Sequence, residues 1–213
     1  MRHFLPLVAC LALAAPAPAL ADDCRDRIAA MFDGGPLDPF ARPPHSFVGT
    51  TYDPEGTVRW VYEARYETAL KTVGGMRGGQ QILLDGSDSW MGETPDGPWT
   101  KAPNLMPADH EGFIRAQMAQ NVKNLDRTDC PGMVDVEGMT LEKFVYFTRT
   151  DPMPDAAGAW FGALNTVFVD PGTGRVMRWE TSESVAHYAS EPSGDVQVNV
   201  YTYDPAITVT PPM

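Results

Sequence analysis

From Thr57 to Leu70 the chain alternates almost without a slip: Val58, Trp60, Tyr62, Ala64 and Tyr66 fall on one side, Arg59, Glu63, Arg65 and Glu67 on the other. A period of two marks a β-strand with one wet face. At about 3.3 Å per residue such a run reaches roughly 45 Å, well beyond a common strand of about five or six residues. A sheet built on it must be large, twisted and strongly curved. Its aromatic face needs a cover, and a packed core, a helix and an apolar ligand are the three candidates.

The rest of the chain supplies more strand than helix. Asp22 to Phe32 reads as a short amphipathic helix with Ile28, Met31 and Phe32 on its apolar stripe, and Asp33 to Pro44 as an extended connector. Phe47 to Tyr52 is a first strand, joined to the long one through the turn Asp53-Pro54-Glu55-Gly56. The pairs Gly74-Gly75 and Gly78-Gly79 bracket a tightly bent or flexible segment, and Gln80 to Leu84 and Ser89 to Glu93 are short strands across Asp85-Gly86. Thr94 to Pro107, with four prolines, reads as loop around Trp99. Asp109 to Leu125 is the one internal helix. After Cys130-Pro131-Gly132 come strand candidates at Met133 to Val136, Thr140 to Thr150, Trp160 to Val169, Arg175 to Ser184 and Val196 to Tyr203. This is a meander of about eight to eleven strands, an α+β chain that is mostly β, without the strand–helix alternation of a parallel sheet.

The first residues carry an export signal. An apolar run from Phe4 through Ala15 leads to Ala19-Leu20-Ala21 ahead of Asp22-Asp23, which predicts a signal peptide over residues 1–21, cleavage after Ala21 and a periplasmic product. Cys10 sits in a lipoprotein-like box, but the apolar segment before it is shorter than a working signal needs. Residues 22–213 then form one domain, with no later stretch of the ~18 apolar residues a membrane span requires. Cys24 and Cys130 remain in an oxidising compartment, and a disulfide between them is the economical reading. The formal charge of −12 lacks a basic footprint and argues against nucleic acid or anionic headgroups as direct partners.

No motif for catalysis, phosphate binding or a dinucleotide occurs, and no cofactor is implied. His45, His110 and His187 have no metal-ligand spacing, and for each a turn or surface role outweighs that of a general base. Asp85-Gly86-Ser87-Asp88-Ser89 has the oxygen atoms of a calcium loop but not its frame, and reads as a hairpin turn. The methionines at 91, 118, 133, 139 and 177 suit an adaptable binding wall or an ordinary core.

The aromatic stripe carries the functional expectation. Trp60, Tyr62 and Tyr66 share a face, with Phe144 and Tyr146 on a second strand and Met177 and Trp179 on a third. Large side chains with polar tips line apolar pockets and cores alike. With this stripe the chain resembles the LolA-like proteins of the bacterial envelope. The resemblance lies in the signal peptide and short N-terminal helix, the long strand, Ser89-Trp90-Met91 followed by Gly97-Pro98-Trp99, and the mid-chain helix. It continues in the hairpin Val167-Phe168-Val169-Asp170 to Arg175-Val176-Met177-Arg178-Trp179 and the closing Tyr201-Thr202-Tyr203-Asp204-Pro205 and Pro211-Pro212.

This resemblance implies an incomplete, curved antiparallel barrel, a half-barrel whose concave face is covered by an N-terminal and a mid-chain helix. It implies a lid over Asp109 to Leu125 that presents Phe113, Ile114, Met118 and Val122 to the aromatic wall. The expected function is that of a periplasmic binding or carrier protein, not an enzyme, for a lipid, a lipoprotein acyl chain or another apolar ligand. The alternative is an interaction or sensor module of the envelope with a protein partner and no bound lipid.

Overall fold

The computed structural model describes residues 19–103, 105–153, 157–189 and 191–212. The signal-peptide assignment, Cys10 included, lies outside these residues except for its last three, which begin the first helix. The elements are α1 (Ala19–Ala30), β1 (His45–Tyr52), β2 (Val58–Thr68), β3 (Lys71–Met76), β4 (Gln81–Asp85), β5 (Asp88–Gly92), β6 (Trp99–Lys101), α2 (His110–Lys123), β7 (Asp126–Val136), β8 (Met139–Arg149), β9 (Phe161–Asp170), β10 (Arg175–Ala186) and β11 (Val196–Tyr203).

All eleven strands join one sheet in the order β6-β5-β4-β3-β2-β1-β11-β10-β9-β8-β7, and every pairing is antiparallel. Its two ends, β6 and β7, do not pair with each other, so the sheet is open. The expected mostly-β α+β architecture is therefore what forms, and it uses the upper end of the anticipated strand count. β1 and β11 zip the two halves of the chain together, with His45 opposite Tyr203 and Tyr52 opposite Val196.

Several local expectations change. The first helix starts at Ala19 and stops at Ala30, leaving Met31 and Phe32 in a following turn where their N–H groups bond Ile28 and Ala29 carbonyls. The long strand ends at Thr68, turns at once, and returns as β3. Gly74 and Gly75 are therefore strand interior, not a flexible link. A Cβ on Gly74 would lie 2.9 Å from the Glu63 carbonyl oxygen and one on Gly75 2.3 Å from that of Gln80, so only glycine permits this approach. The proline-rich segment contains the three-residue strand β6. Cys130-Pro131-Gly132 does not precede a strand but lies inside β7, where the register shifts between Asp129 and Gly132. Proline is tolerated there because β7 is an edge and hydrogen-bonds only to β8.

The main core lies on the inner face of the sheet. Ile28 of α1, with Met31, Phe32 and Leu37 after it, packs against Phe144, Tyr146, Val167, Val169, Val176 and Tyr201. Cys24 and Cys130 form the expected disulfide, with an S–S distance of 2.04 Å, and fasten α1 to the edge strand. A smaller cluster on the outer face joins Val73 and Leu83 to Val209 of the C-terminal segment, flanked by Trp90 and Trp99. Elsewhere the outer face carries paired charges, including Arg59–Asp195, Arg65–Asp96 and Arg77–Glu63.

Candidate ligand-binding site

Directly opposed residues on neighbouring strands point to the same face, so the register sorts the predicted site. Tyr62 opposes Gly49, which opposes Asn199, which opposes Trp179, which opposes Val167, which opposes Phe144. One row further, Trp60 aligns with Thr51, Gln197, Thr181, Asn165 and Tyr146. Tyr62, Tyr66, Trp60, Phe144, Tyr146 and Trp179 thus share the inner face. Their surroundings differ. Phe144 and Tyr146 are buried in the core under α1, and Trp179, Met118 and Val122 pack against that core. Trp60 is 43% exposed near the start of β2, and Phe113 on α2 is 39% exposed. Ile114 is half-buried, and Met177 is the extra residue of a bulge between Val176 and Arg178. The expected aromatic wall is real, but α1 and the residues after it occupy much of the space in front of it.

The middle of the inner face is an aromatic ladder. The His45 ring stacks on Tyr66 with centroids 4.8 Å apart, and Phe47 lies 5.5 Å from Tyr201 and 6.0 Å from both Tyr62 and Tyr66. Burial pushes the Tyr66 phenol up to about 12 and also raises Tyr62, Tyr146, Tyr201 and Tyr203. Burial also lowers His45, whose Nδ1 is 2.8 Å from the Pro43 carbonyl oxygen. Arg42, in the connector after α1, faces this ladder, its guanidinium carbon 5.5 Å from the Trp179 ring and 5.8 Å from Tyr201. The Tyr146 hydroxyl is buried without a hydrogen-bond partner among the described residues.

Helix α2 crosses the inner side as a strap held at its ends. Asp109 caps it by accepting from the Gly112 N–H, and the buried His110 sets Nδ1 2.7 Å from the Gly86 carbonyl oxygen in the β4–β5 turn. That turn is the Asp85–Ser89 segment, which acts as a hairpin. At the other end Thr148 donates to the Asn121 carbonyl, Asn124 to the Arg149 carbonyl and Asp151, and Lys123 pairs with Asp151. The Asn124 hydrogen bond, and after it the Lys123 contact, hold the Asp151 carboxyl below its usual range. His110 is the only side chain of the helix that is fully buried.

Beside the C-terminal end of this strap, which contributes Asn121 to it, lies an open groove of about 560 Å³ between the ends of β8 to β10 and the segment that follows them. Its exposed lining is mostly apolar, with Phe161, Ala163, Val185, Ala186 and Tyr188, and its polar groups include Asn165 and Thr148 and the charged Arg149 and Glu191. Thr148 opposes Ala163 and Tyr146 opposes Asn165, so the cavity continues the inner face toward the ends of β8 to β10. Phe161 and Tyr188 remain 47% and 76% exposed at its rim, in edge-on contact with each other and with His187. None of the eleven predicted residues lines this cavity. Small residues create the space, and a search for large aromatics passes over them. The available signal was the run Phe161-Gly162-Ala163 on a strand whose continuation is bulky.

No family model matches the chain, and no curated protein matches it significantly. Solved structures with a similar outline include the lipoprotein LppX of Mycobacterium tuberculosis, at 11% identity and a TM-score of 0.49, covering 87% of this chain and 99% of that one. LprF of Mycobacterium bovis has 8% identity and a TM-score of 0.47, covering 88% and 97%. A LolA superfamily protein of Nitrosomonas europaea, from the family that the sequence resembles, has 11% identity and a TM-score of 0.30, covering 85% and 91%. At these TM-scores the likenesses carry no weight in assigning a function.

Proposed function

We propose that this chain is an exported binding or carrier protein for a lipid, a lipoprotein acyl chain or another apolar ligand, held between the inner face of the sheet and α2. The observation that carries the reading is the open, largely apolar groove of about 560 Å³ beside a helix that buries only one of its own side chains. Each buried methylene contributes about 0.8 kcal/mol, so a dozen supply roughly 10 kcal/mol before the costs of association. Such a ligand needs no cofactor. The three histidines have structural surroundings: His45 and His110 meet backbone carbonyls, and His187 packs on Phe161 and Tyr188.

Titration with a fluorescent fatty acid tests this reading. Saturable binding that Phe161→Ala weakens several-fold is expected, since the ring covers apolar ligand at the rim and its loss returns that area to water. Absence of binding, together with native mass spectra free of co-purified lipid, would refute it. The alternative interaction module is favoured by Val48 and Val200, paired on the outer face and 40% and 44% exposed. That module would bind a protein partner and no fatty acid.

A further inference from the structure

Arg42 differs from the cations of the outer face. Arg59, Arg65, Arg77 and Arg178 each have a carboxylate within 4 Å, whereas Arg42, over Trp179 and Tyr201, and Arg149, in the cavity wall and over Trp160, have none among the described residues. The side chain is half-buried, and its Nε donates to the Pro36 carbonyl oxygen at 2.9 Å. The buried carboxylate of its own connector, Asp38, already accepts from the Gly34 and Phe40 N–H groups. Aromatic faces compensate a guanidinium only in part, and a partly desolvated cation without a counter-charge is a standing cost.

The groups around this cation are neutral hydrogen-bonding side chains. Tyr201 lies under it, His45 packs on Tyr201 and Tyr203 with centroids 5.8 and 5.6 Å apart, and the Tyr146 hydroxyl is buried and has no partner among the described residues. The site also adjoins the cavity. Asn165 lines the cavity and accepts a 2.9 Å hydrogen bond from the Trp179 indole N–H, and Arg42 lies over the face of that same indole. One ring separates the apolar space from the Arg42 charge.

We infer that the ligand is an amphiphile with an anionic head, a carboxylate or a phosphate, seated on Arg42 with its chain running across Trp179 into the cavity. The inference rests on the binding reading above and adds the head-group class. A guanidinium fork suits either oxyanion, and charge-assisted bonds are roughly twice as strong as neutral ones.

Calorimetric titration of the folded protein with dodecanoate, dodecyl phosphate and dodecanol at equal chain length tests it. Both anions, or one of them, should bind about tenfold or more tightly than the alcohol, the preferred anion identifying the head. High salt should narrow that gap. Arg42→Met should bring the ratio close to one, and Arg42→Lys should retain part of it. Equal affinities for all three probes in the native protein would overturn the inference and leave the apolar site standing. So would an anion preference that survives Arg42→Met. Failure of all three to bind would instead refute the binding reading itself. Because the native comparison decides the matter alone, the inference stays open to refutation even if a variant does not fold.

Discussion

Gly75 stands opposite Glu63 on β3, next to a turn that Gln81 ties by donating from Nε2 to the Met76 and Gly79 carbonyls. A methyl group there would meet the Gln80 backbone oxygen at 2.3 Å and the Gln81 side chain at 2.8 Å, and neither can yield without breaking the turn. Gly75→Ala should therefore destabilise by about 1–3 kcal/mol, read as a lower urea midpoint at unchanged slope. His45 gives a pH-dependent counterpart. Burial lowers its pKa in the folded state, so the folded protein favours the neutral ring more than the unfolded chain does. That contribution is fully present above the ordinary histidine value and is lost as pH falls through the folded one. The stability advantage of the native protein over His45→Gln should shrink between about pH 7.5 and pH 5.5, followed by urea unfolding. An advantage independent of pH would contradict the burial account.

At the scale of elements, the inner face is divided between two helices that are held differently. α1 is wedged into the core through Ile28 and fastened by Cys24–Cys130, a cross-link spanning 106 residues of sequence. Replacing both cysteines with serine should cost about 4 kcal/mol of stability, mostly through the unfolded chain, with the far-UV spectrum retained. α2 keeps its polar end contacts but buries one side chain, so its amides should exchange faster than those of β8 to β11 in native-state hydrogen exchange. Equal protection would show that the strap is part of the global core. The long strand was legible because its residues alternate with a period of two broken only at Val61, and α2 because its apolar residues recur at helical spacing. The return strand β3 was not, because glycine is depleted in strands and only the close approach to Glu63 and Gln80 explains its presence. β7 was hidden for a related reason: Pro131 and Gly132 read as a break, while an edge strand with bulges accommodates both.

On the scale of the whole molecule, the open sheet makes a bowl that the chain fills unevenly. Ile28, Phe32 and Leu37 plug the part in front of Phe144, Tyr146 and Val167, and the part beyond Asn165 stays open beside the end of α2. Of the aromatic stripe, Phe144 and Tyr146 lie in the plugged region while Trp60 stays exposed on the same face, and Gly162, Ala163 and Ala186 leave the space beyond Asn165. Which segment does the plugging depends on contacts between residues far apart in the chain, as with Phe32 and Tyr146 at 5.9 Å, and no local pattern encodes that.

The most direct test of the ligand-binding claim is a map of backbone amide shifts in the NMR spectrum during titration with dodecanol. The account predicts perturbations concentrated on Asn121, Thr148, Phe161, Ala163 and Asn165. Shifts confined to the outer face around Val48 and Val200, or none at saturating probe, would contradict it.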